Sequence, residues 1–309
     1  MAKNILITGA SGLIGRQLIP ALQAQGHTIS ILSRRQINIK DVNVFLWDVY
    51  NQTIDANALK GIDTVINLAG EGIADKRWTD KRKQEIIDSR VMSAQLLYKT
   101  IQETKASVTT FISASAVGFY GDRGDEVLTE KSDSGTDFLS TCCVQWENAA
   151  NEGIGLGIRV VKIRIGLILS KEGGALQAME KPIKFFAGAP LSTGKQWMPW
   201  IHLDDIIKIF SKAVEDTKMA GAYNACAPFP VTNKLLTKTI GQKLSRPVWP
   251  VHVPKFVLKA ILGEMSVLPL MSSNTMVQKL LDTGYKFVYV NLDEALDSIY
   301  TPTHQDESK

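Results

Sequence analysis

The sequence has little of what marks disulfide-stabilised, membrane-spanning or nucleic-acid-binding proteins. Its three cysteines form an odd, sparse set, which argues against a disulfide framework and indicates a reducing compartment. No apolar run approaches the roughly 18 residues of a membrane helix, and the N-terminal apolar run is too short for a signal peptide. No long Lys/Arg run accompanies the net charge of +4. We therefore expect a cytoplasmic monomer or homodimer that binds neither nucleic acid nor a membrane.

Several catalytic signatures are also missing. The four histidines and three cysteines show no metal-ligand spacing, so we predict no metal site. There is no Gly-x-Ser-x-Gly elbow and no Walker loop. Cys142 and Cys143 are adjacent on a predicted helix, where such pairs are usually small core residues. We interpret His202, just before a predicted helix, as structural rather than as an acid/base.

Strand and helix patterns alternate through the first two thirds of the chain. Continuous apolar and β-branched runs are typical of strands that are covered on both faces. The longest helical pattern between them is Asp80–Gln102. This alternation predicts an α/β fold with a Rossmann-type doubly wound parallel sheet. The predicted strands are Asn4–Thr8, Thr28–Leu32, Val42–Trp47, Thr64–Leu68, Thr109–Ser113 and Val160–Ile165.

The alternation loosens after about residue 170, where glycine and proline break the pattern. We predict an NADP-binding Rossmann domain over residues 1–170, to which parts of 200–230 return. A smaller C-terminal α+β/helical lobe follows over 171–300, and then a frayed tail over 301–309. The helices predicted after residue 200 are Asp204–Glu215, Lys255–Leu262, Ser273–Leu281 and Leu292–Ile299.

The first predicted strand leads into a glycine-rich loop. Gly9, Gly12 and Gly15 follow one another at intervals of three residues and open an amphipathic helix. The first glycine permits a tight turn, the second lets the backbone approach a pyrophosphate, and the third lets helix pack on strand. The pyrophosphate would then meet the free N–H groups of the helix N-terminus. The loop therefore predicts dinucleotide binding.

The end of the second predicted strand favours NADP over NAD. An acidic residue there would bind the ribose 2′-OH of NAD, but the chain has Ser33, Arg34 and Arg35. A hydroxyl and two guanidinium groups suit the 2′-phosphate of NADP. The alternative is a solvated basic turn. Asp48, at the end of the third strand, either receives the adenine amino group or acts as a cap.

These motifs resemble a known superfamily, the extended short-chain dehydrogenases/reductases. Its marks here are Thr8–Gly15, Asn67–Gly70 and Ser113–Val117. Within it, the chain is similar over residues 2–300 to the YfcH-type epimerase family, which has a C-terminal domain of unknown function and no settled reaction. The stretches that carry this similarity are Asn67–Gly72, Arg77–Arg90, Trp200–Asp205 and Leu262–Met265.

The resemblance implies roles for particular residues. The glycine-rich loop would hold the pyrophosphate, and the loop after the fourth strand would line the nicotinamide side. Glu85 and Arg90 on the long helix and Ile168 beyond the sixth strand would also approach the cofactor. The full set of predicted cofactor-binding residues is Gly9, Ser11, Gly12, Leu13, Ile14, Gly15, Ser33, Arg34, Arg35, Leu68, Ala69, Gly70, Glu85, Arg90, Ser113 and Ile168.

The chain departs from the superfamily at the catalytic pair. No Tyr-x-x-x-Lys occurs anywhere in the sequence. Glu147 fits the Glu that lies four residues beyond the superfamily's Lys, so Leu139 and Cys143 stand where Tyr and Lys belong. Neither can exchange a proton as that pair does. The remaining candidates are Ser115, which matches the catalytic Ser by position, and Tyr120, which is either a displaced proton donor or an ordinary buried tyrosine.

Two functions fit this sequence. One is an NADP(H)-dependent oxidoreductase or epimerase-like enzyme that acts on a small polar or nucleotide-sugar substrate. The other is a non-catalytic NADP(H)-binding sensor or partner-binding regulatory protein, which the missing Tyr and Lys favour. Fold alone does not separate them, because function resides in the site.

Overall fold

The structure is a computed structural model that describes residues 1–301. The predicted tail beyond Thr301 lies outside the described residues. The strands are β1 Asn4–Thr8, β2 Thr28–Ser33, β3 Val42–Asp48, β4 Thr53–Ile54, β5 Thr64–Asn67, β6 Thr110–Ala116, β7 Val127–Leu128, β8 Arg159–Ile165, β9 Leu167–Leu169, β10 Trp197–Met198, β11 Trp200–His202, β12 Gly221–Ala225, β13 Val231–Thr232 and β14 Asn274–Thr275. The α-helices are α1 Leu13–Ala24, α2 Asp80–Thr104, α3 Phe138–Asn151, α4 Ala175–Lys184, α5 Leu203–Glu215, α6 Asn233–Lys243, α7 Lys255–Leu262, α8 Val267–Leu270, α9 Gln278–Leu281 and α10 Leu292–Tyr300.

The largest sheet confirms the predicted Rossmann-type fold. Its eight strands lie in the order β12-β8-β6-β5-β1-β2-β3-β4. The central strands pair in parallel, and β1 lies between β2 and β5 with Ile5 opposite Ile29 and Thr64. Fully buried side chains such as Leu6 and Phe111 form the core beneath the helices. The predicted strands are observed with boundaries shifted by up to three residues, because continuous apolar runs mark doubly covered strands well.

The chain divides into two compact units. The first contains residues Met1–Phe119, Thr136–Arg164 and Ile207–Tyr223. The second contains Tyr120–Gly135, Ile165–Ile206 and the described residues from Asn224 onward. Residues 207–223 thus lie in the first unit, within the 200–230 region predicted to return to it, whereas residues 120–135 lie in the second unit although they precede residue 170.

The second unit is organised around a buried carboxylate. Asp205, fully buried at the start of α5, accepts hydrogen bonds from the Tyr285 hydroxyl at 2.8 Å and from the backbone N–H groups of Val288 and Tyr289 at 2.8 and 3.0 Å. His202 accepts a hydrogen bond from the Asp204 backbone N–H at 3.1 Å, and burial lowers the pKa of its imidazole. This agrees with the structural interpretation of the histidine.

One predicted helix, Ser273–Leu281, is wrong over its first half. Asn274–Thr275 instead forms β14, which pairs in parallel with β7, and the Met276 N–H donates to the Leu128 carbonyl at 2.7 Å. Only Gln278–Leu281 is helical. Short polar residues such as Ser, Asn and Thr occur both at helix starts and in short paired strands. Local sequence therefore distinguishes the two poorly.

We expect Asp205→Ala to lower the free energy of unfolding by roughly 2–4 kcal/mol, because it leaves several buried donors unsatisfied. The matched control is Asp204→Ala, whose side chain is 58% exposed and should cost less than about 1 kcal/mol. Urea unfolding measures both variants. Equal losses in the two would show that the buried carboxylate does not organise this segment.

Candidate cofactor site

The loop between β1 and α1 needs glycine at its first and last positions for packing reasons. Gly9 has φ of +69°, and a Cβ there would lie 2.7 Å from the Leu68 carbonyl. A Cβ on Gly15 would lie 2.5 Å from the Gly9 carbonyl oxygen. Gly12 differs, because the single atom within 4 Å of its Cβ position is the Gly9 oxygen at 3.2 Å. A Cβ on Gly12 would therefore make a close contact with one backbone atom rather than a severe clash, and a ligand that approaches the backbone would add a further reason for glycine there.

The N-terminus of α1 is prepared for an anion. Gly12 is the N-cap, no side chain caps the helix, and its first turn contains no acidic residue. Ser11 is exposed, and Leu13 and Ile14 are half-buried. Uncapped N–H groups and the helix dipole together favour a negatively charged group such as a pyrophosphate. The residues present thus fit a dinucleotide.

A buried threonine fixes the neighbouring loop. The Thr8 hydroxyl donates to the Asn67 side-chain oxygen at 2.6 Å and accepts from the backbone N–H groups of Leu68 and Ala69 at 3.1 and 3.0 Å. These contacts join the ends of β1 and β5. Because the two N–H groups are already used, Leu68 and Ala69 can offer a ligand their carbonyl groups and side chains.

Arg34 lies in an ion-pair network that the sequence did not predict. Its guanidinium, on a side chain that is 75% exposed, is 3.4 Å from a Glu71 oxygen. The other Glu71 oxygen and a Glu85 oxygen are each 3.1 Å from the buried Arg82. The spacing of Arg82 and Glu85 by three residues on α2 was the one available signal. Glu85 is therefore paired with a cation of the protein itself, Arg82.

The remaining residues predicted near the ribose and adenine are Ser33, Arg35 and Asp48. The Ser33 hydroxyl accepts a hydrogen bond from the Arg35 N–H at 3.2 Å, and the Arg35 side chain is exposed. Asp48 accepts from the N–H groups of Tyr50 and Asn51 at 2.9 and 3.0 Å. Hydrogen bonds from Asn51 lower the pKa of Asp48. The structure thus supports a capping role for Asp48, in a turn.

Arg90 is a half-buried cation beside the nicotinamide-side loop. Its guanidinium carbon lies 3.0 Å from the position of a Cβ on Gly70 and 4.9 Å from the centre of the Trp146 ring. It donates to the Ile86 carbonyl at 2.9 Å, and burial lowers its pKa. Within residues 1–301, no carboxylate lies within ion-pair distance of it. An anionic ligand would therefore supply a missing countercharge.

The positions of the missing catalytic pair are filled by core packing. Leu139 and Cys143 are both buried on α3. A Cβ on Gly118 would meet Leu139 at 3.5 Å and the Cys143 sulfur at 3.8 Å. Burial raises the pKa of the Cys143 thiol far above its ordinary value. Cys143 therefore stays a neutral thiol at physiological pH and does not replace a lysine.

Ser115 belongs to a buried charge cluster. Its hydroxyl donates to a Glu147 oxygen at 2.8 Å, and Arg164 donates to both Glu147 oxygens at 2.7 and 2.9 Å. The Lys162 ammonium is 3.5 Å from the same carboxylate. Burial raises the pKa of Glu147, but the bonds and charge of Arg164, together with Lys162 and Ser115, outweigh it and hold that pKa below its ordinary value.

The remaining predicted site residues are Tyr120, Ser113 and Ile168. Tyr120 is fully buried and donates its proton to the Asn224 side-chain oxygen at 2.6 Å, which favours the core interpretation over a displaced proton donor. Ser113 is buried and donates to the Ala114 carbonyl at 2.8 Å. Ile168 lies in β9 of the second unit, opposite Ile201 of β11.

Two further searches concern residues 1–301. No group of three or more His, Cys, Asp or Glu side chains there is arranged to hold a metal ion. None of the helices in this range combines the length and apolar character needed to cross a bilayer.

Comparison with known proteins identifies the family. The epimerase family protein YfhF of Bacillus subtilis is 39% identical over 299 residues, which cover 96% of this chain and 97% of that protein. The chain belongs to the epimerase family. Residues 5–142 match the NAD dependent epimerase/dehydratase family, and residues 253–299 match a domain of unknown function, DUF1731. The resemblance derived from the sequence motifs is confirmed.

Two solved structures of epimerases are similar to the chain. The human epimerase family protein SDR39U1, crystallised with NADPH, is 29% identical with a TM-score of 0.87, over 97% of this chain and 100% of that one. The nucleoside-diphosphate sugar epimerase of Corynebacterium glutamicum is 34% identical with a TM-score of 0.79. That match covers 97% of this chain and 58% of the other.

We expect Glu147→Gln to cost about 3–5 kcal/mol of unfolding free energy at pH 7, because two cations are left buried without their anion. A lowered native pKa adds stability above the ordinary carboxyl value of 4.5, and that stability is lost as the pH falls through the native pKa. The difference in unfolding free energy between the native protein and Glu147→Gln should therefore shrink as the pH falls below 4.5. Unfolding measured from pH 7 to pH 3 tests this.

The control is Glu103→Gln, which changes an exposed carboxylate paired with Lys99 on the surface of α2. It should cost less than about 1 kcal/mol. A pH-independent cost of Glu147→Gln would refute the electrostatic origin of its effect.

Proposed function

We propose that this chain binds NADP(H) at the β1–α1 loop and is an oxidoreductase or epimerase for a small polar substrate such as a nucleotide-sugar. The observation that carries the cofactor is the second loop glycine, where the fold is less crowded than at Gly9 and Gly15. The uncapped N-terminus of α1 supports the same conclusion. The NADPH in the human relative and the name of the Corynebacterium relative support the choice of cofactor and substrate class.

Each part of the cofactor would meet a different element of the first unit. The N-terminus of α1 would bind the pyrophosphate through backbone N–H groups. Ser33 and Arg34 would hold the 2′-phosphate, and Arg90 would add a positive charge near Gly70. When bound, NADPH supplies a hydride for the reduction of a carbonyl group. The chain itself binds, orients and excludes water.

Ser115 is the proposed contact for a reacting oxygen. Because Glu147 is ionised and can only accept, the serine hydroxyl must donate to it. Its lone pairs are then directed away from the carboxylate and can accept a proton-bearing group of a substrate. The competing function, a non-catalytic NADP(H)-binding sensor, rests on the missing Tyr and Lys. Oxidation of NADPH in the presence of a panel of carbonyl compounds and nucleotide-sugars separates the two.

The cofactor preference predicts a selective effect of Arg34→Ala. Removing this guanidinium should weaken NADPH binding by about 1–3 kcal/mol, the range for a charge-assisted hydrogen bond. NADH has no 2′-phosphate, so its affinity should change little. Fluorescence titration of both cofactors measures the effect. Equal affinity of the native protein for NADPH and NADH would contradict the proposed preference.

The loop predicts opposite outcomes for two glycine substitutions. Gly12→Val should abolish NADPH binding and leave the circular dichroism spectrum unchanged, because its side chain occupies the space that the pyrophosphate needs and its Cβ meets a single protein atom, the Gly9 oxygen at 3.2 Å. Gly15→Val is the control, since its Cβ would lie 2.5 Å from the Gly9 oxygen and must disturb the fold. NADPH binding retained by Gly12→Val would show that this loop is only a turn.

A further inference from the structure

The second unit carries a region without acidic residues. Residues 181–203 contain three Lys and no Asp or Glu, and residues 224–263 contain six Lys or Arg and again no Asp or Glu. The whole chain is nearly balanced, with 35 basic and 31 acidic residues. Residues 1–40 also lack Asp and Glu, so what distinguishes these two stretches is that they contact each other and expose apolar side chains.

The two stretches are neighbours in the fold. The Trp249 indole N–H donates to the Phe186 carbonyl at 2.8 Å, and its backbone N–H donates to the Gly188 carbonyl at 2.8 Å. The Arg246 guanidinium lies 4.8 Å from the centre of the Phe186 ring. Further along, Val253 donates to the Pro190 carbonyl at 2.9 Å, directly before α7 begins. These contacts place the two stretches next to each other.

Large apolar side chains of the two stretches are exposed to water. Phe186 is 54% exposed, Trp249 is 56% exposed, and Phe256 of α7 is 73% exposed. Val251 and Ile261 are also exposed, and Leu258 is the one residue of α7 that is buried. Lys255 and Lys259 are exposed on the same helix. Aromatic and aliphatic groups that stand in water among lysines indicate a surface with a partner.

We propose that this basic aromatic face, made of Phe186, Arg246, Trp249, Lys255, Phe256 and Lys259, docks onto an anionic phospholipid bilayer. The apolar side chains enter the boundary between headgroups and acyl chains, and the cations meet the lipid phosphates. The binding is peripheral, since no helix in residues 1–301 could cross a bilayer. It departs from the expectation that the chain binds no membrane, which rested on the absence of a membrane-spanning run. This interaction is independent of the proposed enzymatic function.

Charge and composition favour a bilayer over other anionic partners. Across both stretches Arg246 is the one arginine, and lysine is depleted in protein interfaces where arginine is enriched. Aliphatic side chains such as Val251 and Ile261 gain nothing from stacking on nucleic-acid bases, but they do gain from insertion among acyl chains. Two lysines in these stretches already have anionic partners: Lys243 pairs with Asp293 and Asp297, and Lys184 pairs with Glu180. Glu264, just after α7, is the nearest acidic residue in sequence.

The test uses the full chain and vesicles of two compositions. Native protein should sediment with vesicles of 70% phosphatidylcholine and 30% phosphatidylglycerol, but not with phosphatidylcholine alone, and salt should weaken the binding. Lys255→Glu/Lys259→Glu should reduce the partition coefficient at least 25-fold, taking roughly fivefold per lysine. Phe256→Ser should reduce it about tenfold through lost insertion, and Trp249 fluorescence should shift to the blue when the native protein binds.

Matched controls separate this face from overall charge. Lys40→Glu/Lys60→Glu makes the same change in net charge at exposed lysines of the first unit, and Ile154→Ser removes an exposed apolar side chain there. Both should bind vesicles as the native protein does. Unchanged circular dichroism shows that each variant is folded. Equal loss in control and face variants, no preference for anionic vesicles, or binding to polyglutamate without binding to vesicles would overturn the proposal.

Discussion

The hydroxyl of Thr8 is the contact on which the candidate site depends. It joins the carboxyl ends of β1 and β5 by donating to Asn67 and accepting from two backbone N–H groups. The ends of two parallel strands are thereby held so close that only glycine fits at Gly9, with no room for a Cβ against Leu68. The tight turn at Gly9 in turn aims the N-terminus of α1 at the space above the sheet, where α/β folds bind their ligands.

The arginines around this space differ in their electrostatic state. Arg34 and Arg82 share the carboxylate of Glu71, and Arg82 also pairs with Glu85, so a phosphate near Arg34 exchanges one anionic partner for another. Arg90 has a backbone carbonyl and the face of Trp146 instead, and burial already disfavours its charged form. In the proposed NADP(H) site, an anion would gain most from Arg90, whereas Arg34 would provide discrimination between a phosphate and a hydroxyl. Affinity and cofactor preference would thus depend on different side chains.

The sequence predicted what local patterns determine. Strand positions and the glycine-rich loop follow from continuous apolar runs and fixed spacings, and both are observed. The Ser273–Leu281 helix failed because β14 is stabilised by pairing with β7, which is distant in sequence. The ion pair of Glu147 with Arg164 could not be predicted from local sequence for the same reason, because it joins α3 to β8. From the sequence, Glu147 served only to align the chain with the superfamily's Tyr and Lys positions. In the structure it accepts the hydrogen bond of the Ser115 hydroxyl.

The hydrogen bond from Ser115 to Glu147 limits the proton chemistry of the site. A phenol beside a lysine can both give and take a proton, but a serine that donates to an ionised carboxylate can only accept from a ligand. Arg164 and Lys162 hold the pKa of Glu147 low, so the carboxylate does not store a proton at neutral pH. If Ser115 contacts a substrate hydroxyl as proposed, neither Ser115 nor Glu147 keeps the proton of that hydroxyl at neutral pH. The proposed reaction therefore requires a proton acceptor other than these two side chains.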